Sequence, residues 1–189
     1  MNENTFDRRT FLETAAAVTV LTHMEKNDEK QIPEKKSPLA EIHVHHDTSH
    51  TPSSILRVAN KYNVEAFRGK TEEEVRRIIQ APAGCDWKTW YDHMKQTRRD
   101  YVSPEAIGEL VEDILHDAQQ NGVDLIELRV SLLSTVQALM ENLGIKDESE
   151  RWKYATPVLD KIIEAIQKCT GQIKADLVVS LSSQQKFKD

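Results

Sequence analysis

The chain has 189 residues, a net charge of −6 and 39% hydrophobic residues, which is enough apolar material for one buried core. Its lysines and arginines alternate with acidic residues, so no basic stripe indicates a nucleic-acid partner. Cys85 and Cys169 are far apart and outside any C-x-x-C motif, which disfavours a disulfide framework and a thiolate metal cluster.

Residues 1–24 have the features of a twin-arginine export signal, because Arg8 and Arg9 precede Phe11 and a weakly apolar run. Glu13 stands where a basic residue is common, and no A-x-A cleavage site precedes residue 24. A cytoplasmic amphipathic helix explains the segment equally well, so cytoplasmic and exported locations both stay open. Residues 25–38 are rich in charge and proline and predict a flexible linker. No stretch approaches the roughly 20 apolar residues of a membrane span.

The segment LAEIHVHHDTSH, residues 39–50, is the most informative about function. Alternation along a strand puts His43, His45 and Asp47 on one face, with Ile42, Val44 and His46 on the other. Two imidazoles at this spacing can hold one divalent metal, and a carboxylate one step further can contact a ligand. A polar loop that happens to be rich in histidine is the competing interpretation. The helix start that follows favours a metal site. The general acid or base stays unknown.

Several helices are predicted after this strand from their caps and apolar stripes. Thr51-Pro52 begins the first, and a capping box from Thr71 to Glu74 begins the second. Asp86 caps a third, whose buried side is predicted to contain Trp87, Trp90, Tyr91 and Met94. Ser103-Pro104 begins the longest, which ends at Asn121-Gly122.

The second half of the chain repeats a strand and helix pattern. We predict a strand over 123–132, a helix over 134–143, a charged loop over 146–153, a helix that begins at Thr156-Pro157, and a strand over 176–182. Long helical crossovers between strands indicate an α/β fold with a parallel sheet. The predicted fold is a partial (β/α) barrel of about three strands with outer helices, because a complete barrel takes about 250 residues.

Glu127 and Arg129 fall on one face of the second strand, where an internal ion pair is the more ordinary role. Three strands would leave two unpaired edges and an uncovered inner face. We therefore expect self-association or loose packing.

The segment from Glu41 to Ser49 resembles the E-L-H-x-H-L-D-G-S motif of the adenosine deaminase family, within the metal-dependent amidohydrolases. Residues 51–63 resemble its first helix, 101–122 its long helix, and 126–131 its E-L-R-x-S segment. The resemblance covers roughly residues 38–183, and residues 39–189 are taken as the N-terminal part of such a barrel. Three departures are His46 for an apolar residue, Thr48 for glycine, and Leu132 for proline.

The resemblance implies that His43 and His45 ligate zinc or a similar divalent metal, and that Asp47 binds the sugar of a purine nucleoside. It implies hydrolytic removal of the 6-amino group. The family's H-A-G-E glutamate, its remaining ligands and its later histidine would lie beyond residue 189, so we expect this chain to be inactive alone.

Two other functions stay open. One is a non-catalytic truncated half-barrel that binds metal weakly or interacts with another chain. The other is a phosphoesterase or another amidohydrolase that also begins with H-x-H, although the E-L-R segment and Asp47 favour the deaminase.

Overall fold

The computed structural model describes residues 38–180. The predicted signal or amphipathic segment and residues 25–37 of the predicted linker lie outside this range. In chain order the elements are β1 (Ala40–His45), α1 (Pro52–Tyr62), α2 (Glu72–Ile79), α3 (Trp87–Gln96), α4 (Pro104–Gln120), β2 (Leu125–Ser131), α5 (Leu132–Asn142), a 3₁₀ turn (Glu148–Glu150), α6 (Arg151–Lys168) and β3 (Lys174–Ser180).

The three strands form one parallel sheet in the order β1-β2-β3. Ala40 pairs with Leu125, and Leu125 pairs with Lys174, so the three strands start at the same level. Parallel strands need a crossover between them, and helices supply both crossovers here. The carboxyl ends of all three strands therefore lie at one edge of the sheet.

The core lies on the helix-covered face of the sheet. Alternate residues of β2, namely Ile126, Leu128 and Val130, are buried there, while the residues between them are partly exposed. Helix α4 packs closely on α6, because a Cβ at Gly108 would lie 3.1 Å from the Lys161 carbonyl oxygen. A second cluster joins α1 to α2 through Ile55, Ala59, Val64, Phe67 and Val75.

Local capping signals are confirmed at four helix starts, including Asp86, which accepts from the Thr89 backbone N–H at the start of α3. Thr51 accepts a hydrogen bond from the Ser54 backbone N–H at the start of α1. The capping box of Thr71 and Glu74 forms in full, and Ser103 caps α4. Each side chain accepts a bond from a backbone N–H that has no partner within the helix.

The predicted burial of the α3 aromatic side chains is wrong for its two tryptophans. Trp87 is 73% exposed and Trp90 is 40% exposed, while Tyr91 and Met94 are partly buried. No residue of α3 is fully buried, so no second layer covers this face within residues 38–180. The Trp87 and Trp90 rings stack on each other instead, with centroids 4.8 Å apart.

The predicted helix start at Thr156-Pro157 is also wrong. Helix α6 begins at Arg151 and contains Pro157 in its interior, and residues 148–150 of the predicted loop form the 3₁₀ turn. Asp147 caps that turn by accepting from the Ser149 N–H at 2.9 Å, and the turn leads directly into α6. Burial of Ala155 and Val158 on either side of the proline favours a continuous helix.

The boundaries of β2 and β3 differ from the predicted ones by about two residues or fewer. Strand β2 is shorter than predicted because α5 begins at Leu132, directly after it. Strand β3 begins at Lys174 and ends at Ser180, and predicted strand residues 181 and 182 lie outside the described range. None of the helices in residues 38–180 is both long and apolar enough to cross a membrane.

Candidate metal centre

The carboxyl end of β1 brings two imidazoles together. The Nε2 atoms of His43 and His45 lie 3.0 Å apart, with ring centroids at 5.0 Å. The β1–β2 register shifts between Glu41 and Val44, so Ile42 and His43 both lie opposite Glu127. Such a bulge re-aims the side chains around it. Both histidines are exposed, and their nitrogens converge as the sequence predicted.

Asp47 is placed by a turn and not by strand alternation. Strand β1 ends at His45, and the Thr48 N–H donates to the His45 carbonyl at 3.3 Å. The Asp47 carboxylate pairs with Arg98 at 2.5 Å, and the Asp47 backbone carbonyl accepts from the Thr97 hydroxyl. The predicted substrate-binding aspartate is thus held by the loop that follows α3.

Glu127 and Arg129 form the predicted ion pair on β2. Arg129 Nη2 donates to Glu127 Oε1 at 2.6 Å, and both side chains are about one third exposed. Arg129 pairs in register with His45, so the ion pair lies next to the two imidazoles on the same face. Both residues belong to β2, so the pair lies within one strand and engages the Glu127 carboxylate there.

His46 lies on the opposite, buried side from its neighbour His45. Its Nε2 lies 3.0 Å from the Thr135 hydroxyl, and its Nδ1 lies 3.4 Å from the Arg129 carbonyl. Burial lowers the pKa of His46 to about 4, and the negative charge of Asp47 and the hydrogen bond to the Arg129 carbonyl only partly oppose this shift. His46 is therefore a neutral link from β1 to β2 and α5 at neutral pH.

Tyr101 joins His46 to a second buried histidine. Its ring stacks on His46 with centroids 6.0 Å apart, and its hydroxyl lies 3.1 Å from His50 Nε2. Burial lowers the pKa of His50 to about 3 and raises that of Tyr101 well above its usual range. Both groups are thus neutral over the ordinary pH range.

Arg98 and Tyr101 also belong to this region, although no sequence pattern predicted them. Asn142 of α5 donates to the backbone carbonyls of both residues, which fixes the segment before α4 against the C-terminal end of α5. Arg98 and Asp47 are 51 positions apart, so no local pattern links them. One sequence feature could have pointed to this buried polar region, namely His46 at a position where the family has an apolar residue.

Within residues 38–180, no group of three or more His, Cys, Asp or Glu side chains is arranged to hold a metal ion. The His93 Nδ1–H donates to the Ile78 carbonyl, and the His116 ring contacts the Gln120 side chain. The described residues therefore bring together two candidate ligands, His43 and His45.

One family model matches most of the chain, including all three strands. The model described as adenosine deaminase matches residues 38–185. The chain belongs to the adenosine deaminase family. No curated protein sequence matches this member of the family.

Among solved structures, the chain is similar to adenine deaminase from Arthrobacter aurescens, with a TM-score of 0.55 and 16% sequence identity. The similarity covers 75% of this chain and 38% of that enzyme, so the chain spans well under half of its length. At this identity the likeness concerns the fold alone. It confirms the predicted partial (β/α) barrel with three parallel strands and outer helices.

Proposed function

We propose that this chain supplies the first two metal ligands, His43 and His45, of a metal-dependent purine nucleoside deaminase that removes the 6-amino group. The observation that supports this most directly is the 3.0 Å separation of the two Nε2 atoms. Two imidazole nitrogens bound to one tetrahedral zinc at about 2.0–2.1 Å lie roughly 3.3 Å apart. The pair therefore fits a shared zinc ion with a small adjustment of the rings.

The surrounding residues also suit a metal at this position. Both imidazoles are exposed on the face opposite the helix-covered core, so an ion can reach them. Imidazole nitrogen is a preferred ligand of zinc, and the site has no competing thiolate. When bound, the metal would lower the pKa of a coordinated water and so supply hydroxide near neutral pH.

Residues next to His43 and His45 hold this end of β1 in place. His46 ties the end of β1 to the Arg129 carbonyl and to Thr135, which limits movement of the adjacent His45. Asp47, held by Arg98, is the proposed contact to the substrate. Placement by packed and hydrogen-bonded neighbours is what gives a binding site its accuracy.

We further propose that residues 38–180 bind zinc weakly and catalyse little deamination by themselves. Two ligands fall short of the three protein ligands usual in a catalytic zinc site. Glu127 is engaged by Arg129 and Asp47 by Arg98, so neither carboxylate is free to move a proton. General acid-base assistance typically contributes about 10²- to 10⁴-fold to the rate.

Isothermal titration of the full chain with zinc tests the metal proposal. The wild-type protein should bind zinc in the micromolar range or weaker, and the double variant His43→Ala/His45→Ala should lose this binding. The control is His116→Ala, because His116 is an exposed imidazole on α4. Equal zinc uptake by the double variant and the wild type would remove the metal site.

An absorbance assay for the conversion of adenosine to inosine tests the second part. The zinc-loaded chain should show little or no conversion. Rapid turnover that is lost in His43→Ala would contradict the proposed low activity and support a complete site in this chain. If calorimetric titration shows zinc binding but no purine binding, the non-catalytic half-barrel is favoured instead. The ion pairs of Asp47 with Arg98 and of Glu127 with Arg129 are consistent with that alternative.

A further inference from the structure

His43 and His45 supply half of the ligands that a tetrahedral zinc ion takes. A closed zinc site has four protein ligands. Within residues 38–180, no third His, Cys, Asp or Glu side chain completes the pair. The two Nε2 atoms are 3.0 Å apart, which is close to one edge of the ligand tetrahedron and leaves the opposite edge open. The chain therefore presents half of a coordination shell on its surface.

The two imidazoles lie on the face of the sheet opposite the core, and the described residues leave this face open. Both imidazoles are exposed, and the side chains of Glu127 and Arg129 beside them are about one third exposed. On β3, the residues in register with this ion pair are Asp176 and Val178, and both are exposed on the same face. Another protein surface can therefore approach the histidines from this side.

The charges of the open face favour a cation between two copies over direct contact of metal-free faces. Glu127 and Asp176 lie side by side on neighbouring strands, and Arg129 compensates one of the two carboxylates. The whole chain has a net charge of −6, so two copies repel each other. A divalent cation between the faces offsets both effects. Face-to-face association of these chains should therefore require the metal.

A second copy of this chain has the ligands that are missing. Association of identical chains about a two-fold axis brings the same surface of each copy together. If that axis passes through the ion, the two histidine pairs occupy opposite edges of one tetrahedron. Sheets that pack face to face lie about 10 Å apart, a gap that two histidine side chains joined by one ion can bridge.

We propose that one zinc ion bridges two copies of this chain, held by His43 and His45 of each copy, with the open faces of the two sheets in contact. This inference rests on the metal-binding part of the proposed function and adds a partner to that site. Four imidazoles fill a tetrahedral zinc and leave no position for water or substrate, so the bridged dimer is catalytically silent. Excess zinc dissociates the dimer, because each zinc-loaded chain then holds an ion of its own on two imidazoles.

Sedimentation velocity of the full chain at increasing ratios of zinc to chain tests the inference. The dimer fraction should rise at least about threefold above its value in EDTA, peak near one zinc per two chains, and fall again in excess zinc. His43→Ala and His45→Ala should each stay at the EDTA value, because two such chains offer only two imidazoles. The matched control His116→Ala removes an exposed imidazole on α4 and should behave as wild type.

Val178→Lys tests the open face independently of the ligands. It adds a positive charge near the ion in each copy, so the zinc-dependent dimer should fall to the EDTA value. Zinc affinity in dilute solution, measured by isothermal titration, should stay within about twofold of wild type, since Val178 is not a ligand. Leu143→Lys, at an exposed position outside the sheet, is the control and should keep the dimer. A dimer unchanged in Val178→Lys would overturn the proposed contact.

Other results contradict the inference and can be told apart from failure of the proposed function. One zinc per chain with no zinc-dependent dimer at any ratio would overturn the bridge and leave the metal site intact. Zinc-dependent association that persists in His43→Ala/His45→Ala, or that keeps growing in excess zinc, would show bridging through other side chains. No zinc binding at any concentration would overturn the proposed metal site as well.

Discussion

The Asp100 carboxyl group is fully buried, and neither of its oxygens has a hydrogen-bond partner among residues 38–180. Burial alone raises its pKa from 3.8 to about 8. The group is therefore protonated in the folded protein at neutral pH, while it is ionised in the unfolded chain. Folding must accordingly take up a proton at this residue.

Asp100 makes the free energy of unfolding depend on pH. As pH rises above 3.8, the unfolded chain loses this proton first, so stability falls until the folded group also ionises near pH 8. Asp100→Asn removes that loss. We expect the variant to be more stable than wild type by a few kcal/mol at pH 8, with the difference shrinking toward pH 4.

Urea unfolding of both proteins between pH 4 and pH 8 measures this difference. Asp92→Asn is the matched control, because Asp92 is an exposed carboxylate on α3. A stability gain in Asp100→Asn that is the same at every pH would show that Asp100 does not titrate as described.

Local sequence patterns predicted some residues of the candidate site and missed others. The pairing of His43 with His45 follows from alternation along a short strand, which is a local property. The partner of Asp47 comes from a loop 51 positions away, and only the packing of that loop against β1 selects it. Long-range pairs of this kind leave no periodic signal in one sequence.

Among the elements, α6 departs furthest from its sequence pattern. Pro157 lies in the interior of the helix and is exposed, so it lacks the N–H that would donate to the carbonyl four residues earlier. Proline in a helix interior costs about 3 kcal/mol relative to alanine. Burial of Ala155, Val158 and Ile162 along the helix offsets this cost.

Pro157→Ala should therefore stabilise the protein by about 1–3 kcal/mol, because it restores one backbone hydrogen bond. Thermal unfolding followed by circular dichroism measures the change. Thr156→Ala, at the exposed neighbouring position, controls for the general effect of alanine in this helix. A lower midpoint for Pro157→Ala than for the control would mean that α6 begins near Thr156, as the sequence suggested.

Most elements were predictable because their signals are local. Caps at Thr51, Thr71 and Ser103 and the alternating burial of β2 appear where the patterns place them. The exposure of Trp87 could not be predicted in this way, since an apolar stripe indicates a contact face but not whether a partner covers it. Tertiary packing determines whether the Trp87 face of α3 is buried and where α6 begins.

The described sheet leaves much of its surface uncovered. Strands β1 and β3 each have one neighbouring strand within residues 38–180. Ile42 is 66% exposed on β1, and Val178 is 37% exposed on β3. Unpaired edges with exposed apolar side chains favour association between chains.

Light scattering over a range of protein concentrations should therefore show self-association that grows with concentration. Ile42→Lys should weaken it, since a charge on an edge strand opposes pairing with another edge. Leu143→Lys changes an exposed apolar residue outside the sheet and is the control. A monomer at every concentration would show that these edges are covered in solution.

We propose that His43 and His45 share one metal ion at the carboxyl end of β1. X-ray absorption spectroscopy of the zinc-loaded full chain tests this proposal, because imidazole rings give a characteristic scattering pattern. We predict two imidazole nitrogens at about 2.0–2.1 Å from zinc, with one imidazole lost in His43→Ala. A coordination shell without imidazole, or an unchanged spectrum in His43→Ala/His45→Ala, would contradict the claim.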